Sequence, residues 1–220
     1  MKKVLKFCAG FFLIAVAVVV FAAIFRQENY PSEMKQTVKN EVLHSYYEQN
    51  GKAPLAYTHE PIDSFDYEGN IQAKHLTYIP EIGQVQISVR YGTVAFENIA
   101  DKYDLDFIPE LGAQGISFRL RALELAENAF SNDDKNVDDE DIISESYFDI
   151  STSLDKISGR HQYHRFVFDG IDLEKYNCLY LEMYYKENEK AFTNIIIYHA
   201  DAAKYKQETV VLSPSDCEMP

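Results

Sequence analysis

The sequence predicts a mainly β protein, two antiparallel sheets packed face to face, behind one N-terminal membrane-spanning helix. Three observations carry this reading. Short segments alternate apolar and polar residues, turn residues stand between them, and an uncharged apolar run opens the chain. Alternation puts every second side chain on one face, and a strand with one apolar face needs a second sheet to bury it. Strands and helices do not alternate regularly, which argues against a parallel α/β sheet.

The apolar run comes first. Residues 1–6 form a basic leader with Lys2, Lys3 and Lys6, and residues 7–25 carry no charged side chain. A bilayer core takes about 20 apolar residues as helix. A secretory signal has an apolar stretch of only about 7–15, followed by a small-x-small cleavage site. Here Ala22-Ala23-Ile24-Phe25-Arg26 is a poor cleavage site, and Lys6 puts a charge where a lipidation box before Cys8 needs small residues. The segment therefore reads as one transmembrane anchor. Basic flanks stay on the cytoplasmic side. The expected location is the cell membrane, single-pass, with the N-terminus cytoplasmic and the rest extracytoplasmic, in a bacterial, Gram-positive setting.

The chain has 21 basic and 35 acidic residues, a net charge of −14. Four of the bases and none of the acids lie in the first 26 residues, so the remainder holds 17 against 35, a net of −18. Such a domain repels phosphate backbones and anionic headgroups. Nucleic acid is excluded as a partner; cations, basic proteins of the cell envelope and neutral ligands remain. With 46% hydrophobic residues, 16 Tyr and 14 Phe, the chain can bury a core, and flat rings favour the pleated surface of strands.

The elements follow in order. Residues 26–52 are a tether and a juxtamembrane helix from Glu33 to Gln49, where Met34, Val38, Val42 and Tyr46 recur at i+4 and Asn50-Gly51 provides a stop. Residues 53–213 form the sandwich. Residues 52–70 are a loop with a short strand at 56–59; residues 71–79 are a strand, and 80–83 turn. Val85, Ile87, Val89 and Tyr91 alternate with Gln84, Gln86, Ser88 and Arg90, the mark of a half-buried strand. A short helix is expected over 93–103. Residues 116–120 are a second amphipathic strand whose end is ambiguous, because 122–129 are strong helix formers. Residues 131–141 are an acidic loop and 147–150 a short strand. The last third is the most strand-rich: 163–168, a turn at Asp169-Gly170, then 178–186, 193–198 and 209–212. Residues 214–220 read as a disordered tail. The expected core is Val85, Ile87, Val89, Phe118, Leu120, Phe166, Phe168, Leu179, Leu181 and Ile197.

Residues 85–91 (VQISVRY), 116–120 (ISFRL), 164–170 (HRFVFDG) and 179–185 (LYLEMYY) resemble bacterial membrane-tethered, immunoglobulin-like domains of unknown function. The resemblance is one of pattern and carries no functional residues. It implies an antiparallel immunoglobulin-like two-layer β-sandwich with a juxtamembrane helix, preceded by one transmembrane helix, that serves as an extracytoplasmic binding or structural module.

Candidate chemistry is sparse. Asp134, Asn136, Asp138 and Glu145 fall at positions 1, 3, 5 and 12 of a calcium-loop register, with Glu140 at position 7. Asp139, however, replaces the glycine of the sharp turn, and Asp141 the usual apolar residue. A solvated acidic loop is the plainer reading. His161 and His164 lie three apart, on opposite faces of a strand, and make no zinc set. Cys178 and Cys217 are the pair that an exported domain could bridge. No nucleophile elbow, cysteine signature or phosphate-binding glycine loop is present. Tyr180, Glu182 and Tyr184 share the outer face of one strand, a candidate ligand platform set against simple cross-strand packing. A non-enzymatic interaction or structural role leads. A calcium-dependent surface module and a cell-envelope hydrolase are the rivals.

Calorimetric titration of the protein with calcium at moderate salt should give no saturable binding tighter than roughly the millimolar range of weak extracellular modules. One equivalent bound at micromolar calcium, and lost in Glu145→Gln, would make the loop a true site.

Overall fold

The computed structural model describes residues 12, 14–19, 30–61, 65–66, 71–104, 116–126, 129, 137, 139–158, 161–185, 190–192, 194–200 and 208–219. It divides into two units, Met1–Lys35 and Gln36–Pro220. In the first, residues 14–19 are helical with exposed side chains and Ser32–Lys35 form a 3-10 turn. Most of the expected anchor, residues 7–25, lies outside the described residues. Among the described residues, no helix is long and apolar enough to cross a membrane.

The second unit is built of two antiparallel sheets. Its strands are β1 (Leu55–His59), β2 (Phe65–Asp66), β3 (Ile71–Ile79), β4 (Gln84–Gly92), β5 (Ile116–Leu125), β6 (Ile142–Asp149), β7 (Thr152–Ser158), β8 (His161–Phe168), β9 (Cys178–Tyr185), β10 (Lys190–Ala191), β11 (Ile195–His199) and β12 (Glu208–Val211). The first sheet has the order β12-β1-β3-β4-β8-β7, with β2 also on β3. The second has the order β10-β9-β5-β6, with β11 also on β9. The chain passes between sheets from β4 to β5, from β6 to β7, from β8 to β9 and from β11 to β12.

The period-two reading of the core holds. All ten expected residues sit in one buried cluster drawn from both sheets. An aromatic column joins the layers: Phe118 of β5 lies 5.0 Å from Phe166 of β8, and Phe166 continues through His164 to Tyr91 at centroid spacings of 5.3 and 5.2 Å. The turn between β3 and β4 needs a glycine. Gly83 has φ 57°, its carbonyl accepts from Ile171 N at 2.7 Å, and a Cβ there would stand 3.0 Å from Ile171 O.

Several expectations are corrected. The juxtamembrane helix does not run from 33 to 49. After the 3-10 turn the chain is extended, and helix α1 (Glu41–Asn50) starts only where the Asn40 side chain accepts from Leu43 N at 2.9 Å. Leu43, not Val42, is the buried residue, so the i+4 stripe of Met34, Val38, Val42 and Tyr46 does not define a helix face. The stop is as expected: Gly51, at φ 62°, donates its N–H to Tyr47 O. The short helix α2 (Thr93–Tyr103) also forms as expected. β5 continues as strand to Leu125, because pairing with both β6 and β9 overrides the helix propensity of residues 122–125. β6 is longer than the expected 147–150, and β7 was not anticipated. The tail is not disordered where described. Pro214–Cys217 form a short helix, α3, with the Asp216 carboxylate accepting from Ser213 N and Oγ at 2.8 and 2.6 Å. Cys217 is buried with Leu43, Ala56, Ile79 and Leu212.

β4 is buried on both faces rather than half-buried. Gln84, Gln86 and Ser88 are fully buried. They lie under residues 36–38, whose backbone is bound by side chains. Gln86 Oε1 accepts from Val38 N at 2.8 Å, and Gln86 Nε2 donates to Val38 O at 3.1 Å and to Gln84 Oε1 at 2.8 Å. Gln84 Nε2 donates to Asp169 at 2.7 Å. Beside them on β8, Arg165 is 0% exposed. Its guanidinium donates to Gln36 O, Thr77 Oγ1, Ser88 Oγ and the His75 carbonyl. His75 sits at a left-handed φ of 56°, within an irregularity of β3 between Lys74 and Thr77. Non-glycine residues seldom adopt this conformation; here it accompanies a carbonyl bound to the buried cation.

Leu181 is fully buried in the central cluster. Leu181→Ala should cost about 2–5 kcal/mol in chemical denaturation. A change under about 0.5 kcal/mol would put that side chain at the surface and break the β9 register.

Candidate functional site

The outer face of the five-stranded sheet brings together the densest set of functional side chains. Antiparallel register places Arg119 opposite Glu182 and Asp149, and Arg121 opposite Tyr180 and Tyr147. Period two keeps Tyr180, Glu182 and Tyr184 on one face, as expected. The structure buries all three. Tyr180 packs into a cluster with Leu123, Leu125, Cys178 and Ile196. Glu182 accepts from Arg119 Nε at 2.9 Å. The Arg119 guanidinium lies between two rings, 4.2 Å from the Tyr147 centroid and 4.4 Å from that of Tyr184. Such a stack binds the cation through the ring faces while Glu182 takes its edge. The three residues are thus covered by Arg119 and neighbouring side chains. What this face offers outward is Tyr147, 46% exposed, and the Arg121–Glu145 pair.

Of the calcium register, Asp134, Asn136 and Asp138 lie outside the described residues. Glu145 is on β6, where its Oε2 accepts from Arg121 Nε and Nη2 at 3.0 and 2.9 Å. Among the described residues, no three His, Cys, Asp or Glu side chains are grouped to hold a metal ion. Cys178 and Cys217 are free and buried, and they lie in different clusters, so no bridge forms. Burial pushes the Cys178 thiol up to about 12, away from any nucleophilic role near neutral pH.

One arrangement escaped the sequence reading. Asp155 of β7 lies 2.7 Å from His164 Nδ1, and His164 Nε2 lies 2.7 Å from the Tyr91 hydroxyl. Register sets this up by pairing His164 with Asp155 on one side and Val89 on the other. The carboxylate assigns the ring proton to Nδ1, and Nε2 then accepts from Tyr91 O–H. The order of groups is that of a nucleophilic triad, but the chemistry is not. Tyr91 is 1% exposed, and burial raises its phenol well above the ordinary range. A nucleophile must reach its substrate and shed its proton; this hydroxyl does neither. The relay instead orients the Tyr91–His164–Phe166 ring stack. Arg165, in the neighbouring position, is the other group that the sequence reading passed over. Its signal was a cation in mid-strand between aromatics; in the structure Ser88 stands opposite it on β4 and Leu154 on β7. Burial pulls its guanidinium down to about 9, still charged at neutral pH.

Burial also lowers the proton affinity of His164, against a partial opposing effect of Asp155, and that of His59 and His161. Below the unfolded value near 6.5 the unfolded chain binds more protons than the native one. Stability should therefore fall as pH drops from about 6.5 toward the depressed native values, with no contribution from these groups above about 7. Denaturation of His164→Gln at a series of pH values should give a less stable protein with a shallower loss between pH 7 and 5. An unchanged slope would show that His164 does not contribute. No protein-family model, curated protein or solved structure matches the chain.

Proposed function

We propose that the chain is a single-pass membrane protein whose acidic sandwich stands outside the cytoplasmic membrane and acts, without catalysis, as an immunoglobulin-like binding or structural module. The observation that carries the reading is the pairing of a charge-free apolar run behind a basic leader with a two-sheet domain of opposite charge. Two structural features support it. The triad-like set of polar groups ends on a buried phenol, and the Arg119 stack spends its charges on internal partners. The four crossings between sheets support the immunoglobulin-like architecture. The partner class favoured is a protein of the cell envelope, since the net charge of the domain repels anionic polymers.

External protease on intact protoplasts should remove the domain and leave a small membrane-bound fragment. Release of a soluble form lacking roughly the first 25 residues would mean a cleaved signal peptide instead. Full protection would place the domain inside.

A further inference from the structure

We propose that the edge of β6 that no described strand occupies receives an extended, lysine- or arginine-rich segment of a partner protein, which adds to the five-stranded sheet as a further strand. This rests on reading the domain as a binding module and names where and what it binds. A bare strand edge offers unpaired N–H and C=O groups to any extended chain, and proteins blunt such edges with short strands, bulges, lysines and inward charges. The other edges here are blunted. β12 has four residues and β10 two. β11 is bulged near Ile197, with its isoleucines buried. β7 carries Lys156 and has Asp155 held by His164.

β6 differs. Its register irregularity falls at its start, beside Ile143, and residues 144–149 then run in unbroken register against 119–124. They include no proline and no lysine. Among the described residues, β5 is the sole strand paired with β6. Apolar side chains stand out along it, Ile143 at 63% exposed and Tyr147 on the outer face.

Charge selects the occupant. Asp139, Glu140 and Asp141 lead directly into β6, and Glu145 and Asp149 flank Tyr147 on one face. The basic groups nearest them, Arg119 and Arg121, are already engaged by Glu182 and Glu145. A second copy of this chain fits poorly in the registers centred on Glu145 or Tyr147. Self-pairing centred on Glu145 sets that carboxylate opposite its twin, and centring on Tyr147 sets Glu145 opposite Asp149. Like charges directly opposite each other destabilise a sheet. A strand with basic residues at alternate positions would instead face Glu145 and Asp149, and an apolar residue between them would cover Tyr147.

The test uses the full chain in detergent micelles, titrated with a short synthetic peptide alternating lysine and valine, and follows amide hydrogen exchange along the chain. Saturable slowing of exchange at residues 144–149, by about tenfold, is expected, with β7 and β12 unchanged and the effect weakened by salt. A peptide alternating glutamate and valine should give none. Ile143→Lys should weaken the response while keeping the parent melting temperature, because its side chain is exposed; Glu145→Gln, which keeps an acceptor for Arg121, should weaken it while the protein stays folded. Three results would overturn the proposal: no protection at residues 144–149, an equal response to the glutamate peptide, or concentration-dependent self-association that protects these amides without peptide. The protease experiment reports on topology separately, so failure of either leaves the other standing.

Discussion

A guanidinium without a carboxylate holds one face of this domain together. Arg165 is fully buried, and its donors end on four neutral oxygens from four places in the chain: Gln36, His75, Thr77 and Ser88. Removing a charge from water costs several kcal/mol even after relaxation, and neutral acceptors offset that only if they are already aimed at it. The rest of the face follows from this constraint. β3 departs from regular pairing at His75, β4 carries small polar residues where an ordinary strand would show either core or surface, and residues 36–38 lie across the sheet instead of continuing a helix. Substitution of the cation would leave four acceptors without their donor, which is why its cost would exceed that of one lost hydrogen bond.

The two outer faces of the sandwich solve burial in different ways. The seven-stranded sheet is covered by chain: α1 and α3 over Ala56 and Ile79, then residues 36–38 over the glutamines and Arg165. The five-stranded sheet covers itself, through long side chains lying flat on their neighbours, with Arg119 between Tyr147 and Tyr184. The inner faces need neither device, because apolar rows meet directly. Polar groups enter that interior at the Tyr91–His164–Asp155 relay and at the Tyr176 hydroxyl bonded to Ser146.

This contrast explains what could be read from the amino-acid sequence. Residues 85, 87 and 89, or 179 and 181, announce the core because β4 and β9 keep period two on their inner faces. Gln84 and Gln86 read equally well as solvent-facing, since nothing in their pattern says that a distant stretch of chain will lie on them. Asp155 and His164 are nine residues apart, and only strand pairing makes them neighbours. The tyrosine platform was located on the right face, yet its burial depended on the reach of Arg119, which alternation does not encode. The stripe of Met34, Val38, Val42 and Tyr46 runs across Asn40, so i+4 spacing alone hides the cap at which the helix starts.

The way residues 36–38 are held has a mechanical consequence. Within the second unit, a load entering at Gln36 meets the Arg165 guanidinium and then the Gln86 carboxamide, carried by β8 and β4 in the middle of their sheet. Such a load would be borne by side-chain bonds to strands with neighbours on both sides, and would reach α1 only after those bonds had given way. The first part to yield under traction would be the extended chain peeling from the sheet, with the sandwich behind it intact.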